Sequence, residues 1–280
     1  MKKLLFMALA SMMLMGCSEQ SEQTEQSEEL TKVSLSFSPY EQSAMTRTTR
    51  AATSIAGVVN HLDVWIYESG SEVADIHQTS ADADFGSLSV TLNKTKTYTI
   101  YAIGHKADGA TLSDGVISFT NDKVTHAMFY TTTFTPSETT SLSCLMTRIV
   151  SQFSFSTTDQ VPANVTKMSL TVNDVYDRWN VSTGATHSLN RTSTFENFSK
   201  KADGTVTFNI FSIVTDAQTT HDITVTAYDA QDNIVQQRTF TAVPLRNGYK
   251  TSYRGVYFTD TPTAATFTVN DWNEYDEVTF

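Results

Sequence analysis

An alternation of apolar and polar residues with a period of two restricts the fold of this chain more than any other feature. Between residues 33 and 37, valine, leucine and phenylalanine are separated by serines, and the same spacing recurs at 62–66, 88–92, 168–172 and 223–227. Because successive side chains of a β-strand point to opposite faces, this spacing predicts half-buried strands. No window beyond the N-terminal segment shows a convincing helical stripe, although residues 123–130 can hold one turn. The sequence therefore predicts an all-β protein.

The strands number about seven in each half of the chain, with a spacing typical of β-sandwiches. Further strands are predicted at 98–103, 116–120, 149–155, 206–210, 234–243, 249–258 and 267–269. A polar stretch at 137–143 separates the two sets. We therefore expect an N-terminal β-sandwich domain at 31–143 and a C-terminal one at 144–280, with a single large sandwich as the alternative.

The first seventeen residues predict export and lipidation. Lys2 and Lys3 precede a short apolar run, as in a secretory signal peptide, and that run is too short to span a bilayer. The sequence Leu14-Met15-Gly16-Cys17 resembles the bacterial lipobox, in which the cysteine is acylated and becomes the first mature residue. Residues 1–16 are thus interpreted as a lipoprotein signal peptide and Cys17 as an outer-membrane anchor; an ordinary signal peptide with a chance cysteine is the alternative.

Residues 17–30 follow as the lipidated cysteine and a flexible acidic tether, which has no residues to build a core. Acidic residues directly after a lipidated cysteine also resemble the surface-export signals of Bacteroidetes lipoproteins, which implies a cell-surface location; a plain spacer is the other interpretation.

The charge and cysteine content exclude several classes of partner and site. A formal net charge of −11 argues against binding to nucleic acid. Cys144 is the one cysteine besides Cys17, so a mature monomer has no internal disulfide, and we interpret Cys144 as a small buried residue rather than a reactive thiol.

No pattern in the sequence indicates an enzyme. The six histidines are scattered, without metal-ligand spacing, and each is interpreted as a surface or strand residue. No nucleophile elbow, phosphate loop or dinucleotide fingerprint is present. We expect no catalytic residues, no metal and no cofactor. Trp65, Trp179 and Trp272 can form a sugar-stacking platform, although packing between sheets is the favoured role.

Several segments, taken in order, carry a resemblance to a known family. They are the lipobox, strand 33–37, and the stretches 61–67, 148–155, 161–172, 243–249 and 267–272. Their order and spacing resemble the Bacteroidetes fimbrillin superfamily, which comprises type V pilus subunits and FimB- and Mfa2-like anchor lipoproteins. The resemblance implies two tandem transthyretin-like β-sandwich domains and a structural role in a cell-surface fimbria, with other fimbrial subunits as partners.

The resemblance also implies candidate sites for strand exchange. In stalk members, an Arg-specific protease cuts a loop after the first strand, and the C-terminal strand of a neighbouring subunit fills the vacated groove. Here Arg47 and Arg50 follow strand 33–37, so they are the candidate processing site, with ordinary loop charges as the alternative. The candidate donor is the C-terminal segment 266–280, with an ordinary last strand of the C-terminal domain as the alternative. Its plug residues are Phe267, Val269, Trp272 and Val278.

The sequence leaves the position in the fimbria open. The loop with Arg47 and Arg50 favours a polymerising subunit, whereas the chain length favours an anchor, which keeps its N-terminal strand and its lipid. A surface glycan-binding β-sandwich lipoprotein that uses its tryptophans is the rival hypothesis.

Overall fold

The computed structural model describes residues 29–39, 54–215, 217–259 and 266–271, and these residues form seventeen strands and two short 3₁₀ turns. The strands of the N-terminal half are β1 (Leu30–Pro39), β2 (His61–Glu68), β3 (Ser71–Thr79), β4 (Ser87–Asn93), β5 (Tyr98–His105), β6 (Ala110–Ser113), β7 (Val116–Phe119), β8 (Ala127–Phe134) and β9 (Ser141–Arg148). The 3₁₀ turns are Ile55–Gly57 and Thr120–Asp122.

The C-terminal half continues without a helix in its described part. Its strands are β10 (Val150–Thr157), β11 (Lys167–Asn180), β12 (Gly184–Glu196), β13 (Thr207–Ile213), β14 (Thr219–Tyr228), β15 (Ile234–Leu245), β16 (Tyr249–Gly255) and β17 (Phe267–Asp271). No helix in the described ranges is long and apolar enough to cross a membrane.

The strands form two sheets. The N-terminal sheet has the order β3-β2-β5-β8-β9-β1-β4. The C-terminal sheet has the order β15-β14-β11-β13-β10-β16-β17, with β12 and β7 also paired to β11 and β6 paired to β7. The predicted all-β class is confirmed, and the sheets form a β-sandwich-like fold.

The pairing pattern of the first half is repeated in the second. In the first half, β1 pairs antiparallel with β4 and parallel with β9, while β2 pairs with β3 and β5. In the second half, β10 pairs antiparallel with β13 and parallel with β16, while β11 pairs with β12 and β14. These pairings therefore recur in both halves, whereas the β8–β9 pair of the first half has no ladder counterpart between β15 and β16, and β17 is an addition at the free side of β16.

Each half has its own hydrophobic core. The N-terminal core gathers buried side chains from residues 33–146, and the C-terminal core gathers them from residues 153–257. A third group, which we call the junction cluster, lies between them and draws residues from both halves. Its buried members are Trp65, Ile103, Ala107, Ile117, Phe119, Val124, Ala127, Phe129, Ile149, Val150 and Ile213.

The hairpin of β6 and β7 connects the halves directly. Its turn is the predicted Asp114-Gly115 pair, in which both residues have positive φ, as a tight hairpin turn requires. Strand β7 then pairs antiparallel with β11, at Ile117 opposite Trp179. The C-terminal sheet therefore includes a strand from the N-terminal half.

The expected domain division passes through β9. That strand continues from Ser141 to Arg148 and pairs with β1, and the chain enters the C-terminal sheet at Val150. We propose that the two halves are tandem domains, as the repeated pairing and the separate cores support, with the boundary at Ile149 instead of 143/144. The expected helical turn within 123–130 is wrong, since β8 begins at Ala127.

Candidate functional site

Strand β1 lies in the interior of the N-terminal sheet, with a paired neighbour on each side. Seven residue pairs join it to β4 and six join it to β9. The backbone N–H of Ser34 donates to Thr140 O at 2.9 Å, and that of Phe37 donates to Gly86 O at 2.8 Å. Both edges of β1 are therefore used for hydrogen bonding.

The inward side chains of β1 are buried almost completely. Val33, Leu35 and Phe37 are at most 4% exposed, while the serines between them face solvent. Burial of an aliphatic or aromatic side chain contributes about 1.5–3 kcal/mol, so these three together contribute roughly 5–9 kcal/mol. The alternation seen in the sequence is thus the burial pattern of a strand that completes a core.

The slot that β1 fills is apolar. Leu92 on β4 and Cys144 and Met146 on β9 are buried members of the same core. Burial raises the pKa of the Cys144 thiol to about 11 and also raises the pKa of the neighbouring Tyr130 hydroxyl. The predicted role of Cys144 as a small buried residue is confirmed.

A glycine and a 3₁₀ turn close the slot at the end of β1. Gly86 has a φ of +85°, and a Cβ there would lie 2.6 Å from the Cγ2 of Ile55. Ile55 itself is buried in the N-terminal core. Only glycine combines this backbone conformation with such close packing, so the segment before β4 is fitted to the turn that covers β1.

Strand β17 is held differently, at an edge of the C-terminal sheet. It pairs with β16 over five residues, from Phe267 opposite Tyr253 to Asp271 opposite Tyr249. Phe267 is half-buried, and its ring contacts those of Phe240 and Tyr253 with centroids 6.0 and 6.1 Å apart. Among the described strands, β16 is its one ladder partner. Less apolar surface is therefore buried by β17 than by β1.

The chain that precedes β17 is fixed by a carboxylate. Asp159 accepts hydrogen bonds from the backbone N–H groups of Tyr257, Phe258 and Thr259 at 2.6–2.9 Å. Burial acts to raise the pKa of Asp159, but these N–H groups outweigh it and hold the pKa below its usual range. Tyr257 is fully buried and donates to Val225 O at 2.8 Å. The C-terminal segment is thus attached firmly up to Thr259.

Three histidines gather around one buried carboxylate on the N-terminal sheet, and sequence reasoning missed this. His77 Nδ1 lies 2.7 Å from Asp63 Oδ1, and His105 Nε2 lies 2.7 Å from Asp63 Oδ2. The ring of His61 stacks against both of the other rings. The interpretation of these three as separate residues is corrected, because strand register brings distant positions together. The position of Asp63 opposite His77 on β3 is the one signal for this cluster, and it can be recognised only when the strand register is known.

No group of three or more His, Cys, Asp or Glu side chains in the described ranges is placed to hold a metal ion. A cavity of about 210 Å³ is polar and open. It is lined by Ser156, Thr157, Thr158, Lys201, Asp203, Thr205 and Arg254. Its carboxylate is bound to the backbone and hydroxyl of Thr205.

Residues 21–278 match the sequence model of a family described as fimbrillin-A associated anchor proteins Mfa1 and Mfa2. The chain belongs to this family. It is a family of structural, anchor-like proteins rather than of enzymes, and membership indicates association with fimbrial subunits and with a fimbria at the cell surface. A comparison with curated protein sequences finds no match.

Solved structures with the same fold span nearly the whole chain. The fimbrial anchor protein Mfa2 from Porphyromonas gingivalis is 12% identical, with 86% of this chain and 97% of that chain covered and a TM-score of 0.50. A proposed adhesin from Bacteroides ovatus is 12% identical, with coverages of 85% and 96% and a TM-score of 0.53. A proposed polysaccharide-binding protein from Bacteroides thetaiotaomicron is 10% identical, with coverages of 88% and 99% and a TM-score of 0.53. At these identities the likeness establishes the fold alone.

The residues expected to carry strand exchange are only partly within the described ranges. Phe267 and Val269 lie on β17, both half-buried. Cys17, Arg47, Arg50, Trp272 and Val278 lie outside the described residues, as do the signal peptide and most of the tether. The predicted first strand, β1, therefore lies in the N-terminal sheet, and the described part of the predicted donor, β17, lies in the C-terminal sheet.

Trp65 belongs to the junction cluster. It is 3% exposed, and Leu62, Val64 and Ile66 on the opposite face of β2 are fully buried. The favoured role in packing is confirmed, and no face of β2 offers Trp65 for stacking on a sugar. Trp179 is half-buried in the same cluster, while Trp272 lies outside the described residues.

Proposed function

We propose that this chain is the lipid-anchored base of a fimbria: it keeps β1, stays attached to the outer membrane through Cys17, and joins the fimbria by strand donation from its C-terminal segment. The observation that carries the proposal is the complete integration of β1, which is hydrogen-bonded on both edges and contributes three buried side chains. Membership in a family of anchor proteins supports the same role.

Retention of β1 follows from its energetics. Roughly 5–9 kcal/mol of apolar burial and two ladders of hydrogen bonds oppose its removal. Only the short acidic tether separates β1 from Cys17. A cut after Arg47 or Arg50 breaks the covalent link between the lipid-bearing β1 and the rest of the chain, so an anchor requires that this segment stays intact. An anchor with β1 in place cannot accept a donor strand, and it ends the polymer at the membrane.

The C-terminal segment is the better candidate for exchange. Strand β17 has one ladder partner among the described strands, and its Phe267 and Val269 are only half-buried. Edge strands expose unpaired backbone groups and readily add to another sheet. The fixed region that ends at Thr259 gives the segment a firm base for donating residues 266–280 to a neighbouring subunit.

Two engineered disulfides test this proposal with opposite expectations. Ser34 on β1 and Ser89 on β4 are exposed register partners, so S34C/S89C locks β1 in place. Ser252 on β16 and Thr268 on β17 are register partners too, so S252C/T268C locks β17. We expect cells with the β1 lock to assemble anchored fimbriae, and cells with the β17 lock to lose them until a reductant is added.

The four single-cysteine variants serve as controls, and fimbriae are counted by electron microscopy and in sheared-cell fractions. Loss of fimbriae with the β1 lock, restored by reductant, would contradict the proposal and indicate a polymerising subunit. Normal fimbriae with the β17 lock would contradict donation by the C-terminal segment.

A further inference from the structure

The histidine cluster of the N-terminal sheet is built around a carboxylate with little access to water. Asp63 is 6% exposed and lies on β2 between β3 and β5. Its two oxygens each accept from a different imidazole at 2.7 Å, from His77 on β3 and from His105 on β5. The carboxylate therefore ties three strands together through side chains.

His61 completes the cluster as the middle ring of a stack. Its centroid lies 5.4 Å from that of His77 and 5.2 Å from that of His105, with interplanar angles of 25° and 12°. Two imidazoles thus bind the carboxylate directly, and the third stacks against both of them. One positive charge is balanced by Asp63, whereas further protons place like charges face to face.

Two imidazole nitrogen atoms of the cluster lie in poor surroundings for a proton. The Nδ1 atoms of His61 and His105 are buried and have no hydrogen-bond partner. An unpaired buried acceptor already has a cost, and a proton at Nδ1 of His61 turns that atom into a buried N–H donor without an acceptor. His105, which stacks on His61, is itself fully buried.

The other charged groups near the cluster do not offset the cost of placing a proton on His61. Asp75 on β3 and Asp108 after β5 act on the cluster from two sides, and Lys106 lies between His105 and Asp108 in sequence. Burial, followed by the charges of His105 and His77, lowers the pKa of His61 from its usual value near 6.5, against the smaller opposing effects of Asp63 and Asp108. The nearby His126 accepts a hydrogen bond at its Nδ1 atom from the guanidinium group of Arg148, at 3.1 Å.

The cluster is continuous with the contact between the two halves. The ring of His105 lies edge-on to Phe119, with centroids 5.7 Å apart. Phe119 ends β7, the strand that pairs with β11 of the C-terminal sheet, and it belongs to the junction cluster. A change in the packing of His105 therefore acts directly on the strand that joins the halves.

We propose that His61, Asp63, His77 and His105 form an acid-sensitive clasp, which holds β3 and the β7 junction in place at neutral pH and loosens both when His61 takes up a proton. Binding of protons is the regulatory input, and the affected elements are the β2–β3 hairpin and the contact between the halves.

The direction of the effect follows from linkage. Because the pKa of His61 is lower in the folded protein, the unfolded chain takes up this proton first as the pH falls. The stability that neutral His61 contributes is fully present above its unfolded pKa near 6.5, and it is lost as the pH falls through the lower folded pKa.

The full-length mature protein in detergent tests this with His61→Gln, a neutral side chain at every pH. The control is His187→Gln, which removes a second histidine held 2.7 Å from a buried carboxylate, that of Asp177. Thermal midpoints are compared at pH 7.5 and pH 5.0. We expect the acid-induced drop to be smaller in H61Q than in the wild type by at least about 2 °C, and unchanged in H187Q.

Hydrogen exchange of the wild type, corrected for intrinsic rates, gives a second readout. Acid is expected to reduce protection of 71–79 and 116–119 several-fold while β14 keeps its protection. Equal acid-induced drops in H61Q and wild type, or uniform loss of protection across both sheets, would overturn the clasp.

Discussion

At the scale of single residues, burial determines which side chains of this chain are accessible to reagents and ligands. Cys144, Trp65 and the inward residues Val33, Leu35 and Phe37 of β1 are all enclosed, so neither a reactive thiol nor a sugar platform at Trp65 is available. Composition and context predicted the buried cysteine. The grouping of Asp63 with His77 and His105 was beyond sequence reasoning, because these residues are up to 42 positions apart and meet only through strand register.

The thiol of Cys144 should be inert in the folded protein. Burial raises its pKa to about 11, so the reactive thiolate is scarce at pH 8, and the side chain is inaccessible. We expect no modification by a disulfide reagent at pH 8 without denaturant, and rapid modification in guanidinium chloride. A C144A/S143C variant is the control, since residue 143 is exposed on the same strand and should react at once. Comparable rates for both proteins in buffer would show that the slot under β1 opens readily.

At the scale of elements, apolar residues at a spacing of two, or in a short continuous run, predicted most of the well-buried strands and missed several of the more polar ones; β9, with one buried face, was missed because its polar start was interpreted as a domain boundary. Strands β1, β2, β4, β5, β10, β11 and β14 were all expected. Strands β3 and β12 were missed because exposed polar residues occupy much of both, and β8 because its second half is a run of threonines. Pairing partners were not predictable, since a period-two pattern gives the buried face of a strand and not its neighbours.

The weight of β1 in the fold can be measured with one matched pair of variants. Leu35→Ala leaves a cavity beneath β1 and should lower the free energy of unfolding by about 2–5 kcal/mol. Ser36→Ala changes the adjacent exposed position of the same strand and should shift it by less than about 0.5 kcal/mol. Denaturant titration of both mature proteins checks this. Similar stability of L35A and wild type would mean that β1 is not an integral strand.

At the scale of the whole molecule, two similarly paired halves are joined by a strand that crosses between them. The sequence predicted two sets of about seven strands, and most pairings of the first half recur in the second. The crossing of β7 was not predictable, because a four-residue strand contains no information about the sheet it joins. Whether the protein is an anchor or a stalk subunit depends on whether β1 stays part of the chain throughout the life of the protein.

The mature N-terminus on intact, fimbriated cells tests that central claim most directly. Mass spectrometry of the purified surface protein should find an acylated Cys17 as the first residue, with the chain continuous through Arg47 and Arg50. A free N-terminus directly after Arg47 or Arg50, with the lipid and β1 gone, would contradict the anchor and establish a processed, polymerising subunit.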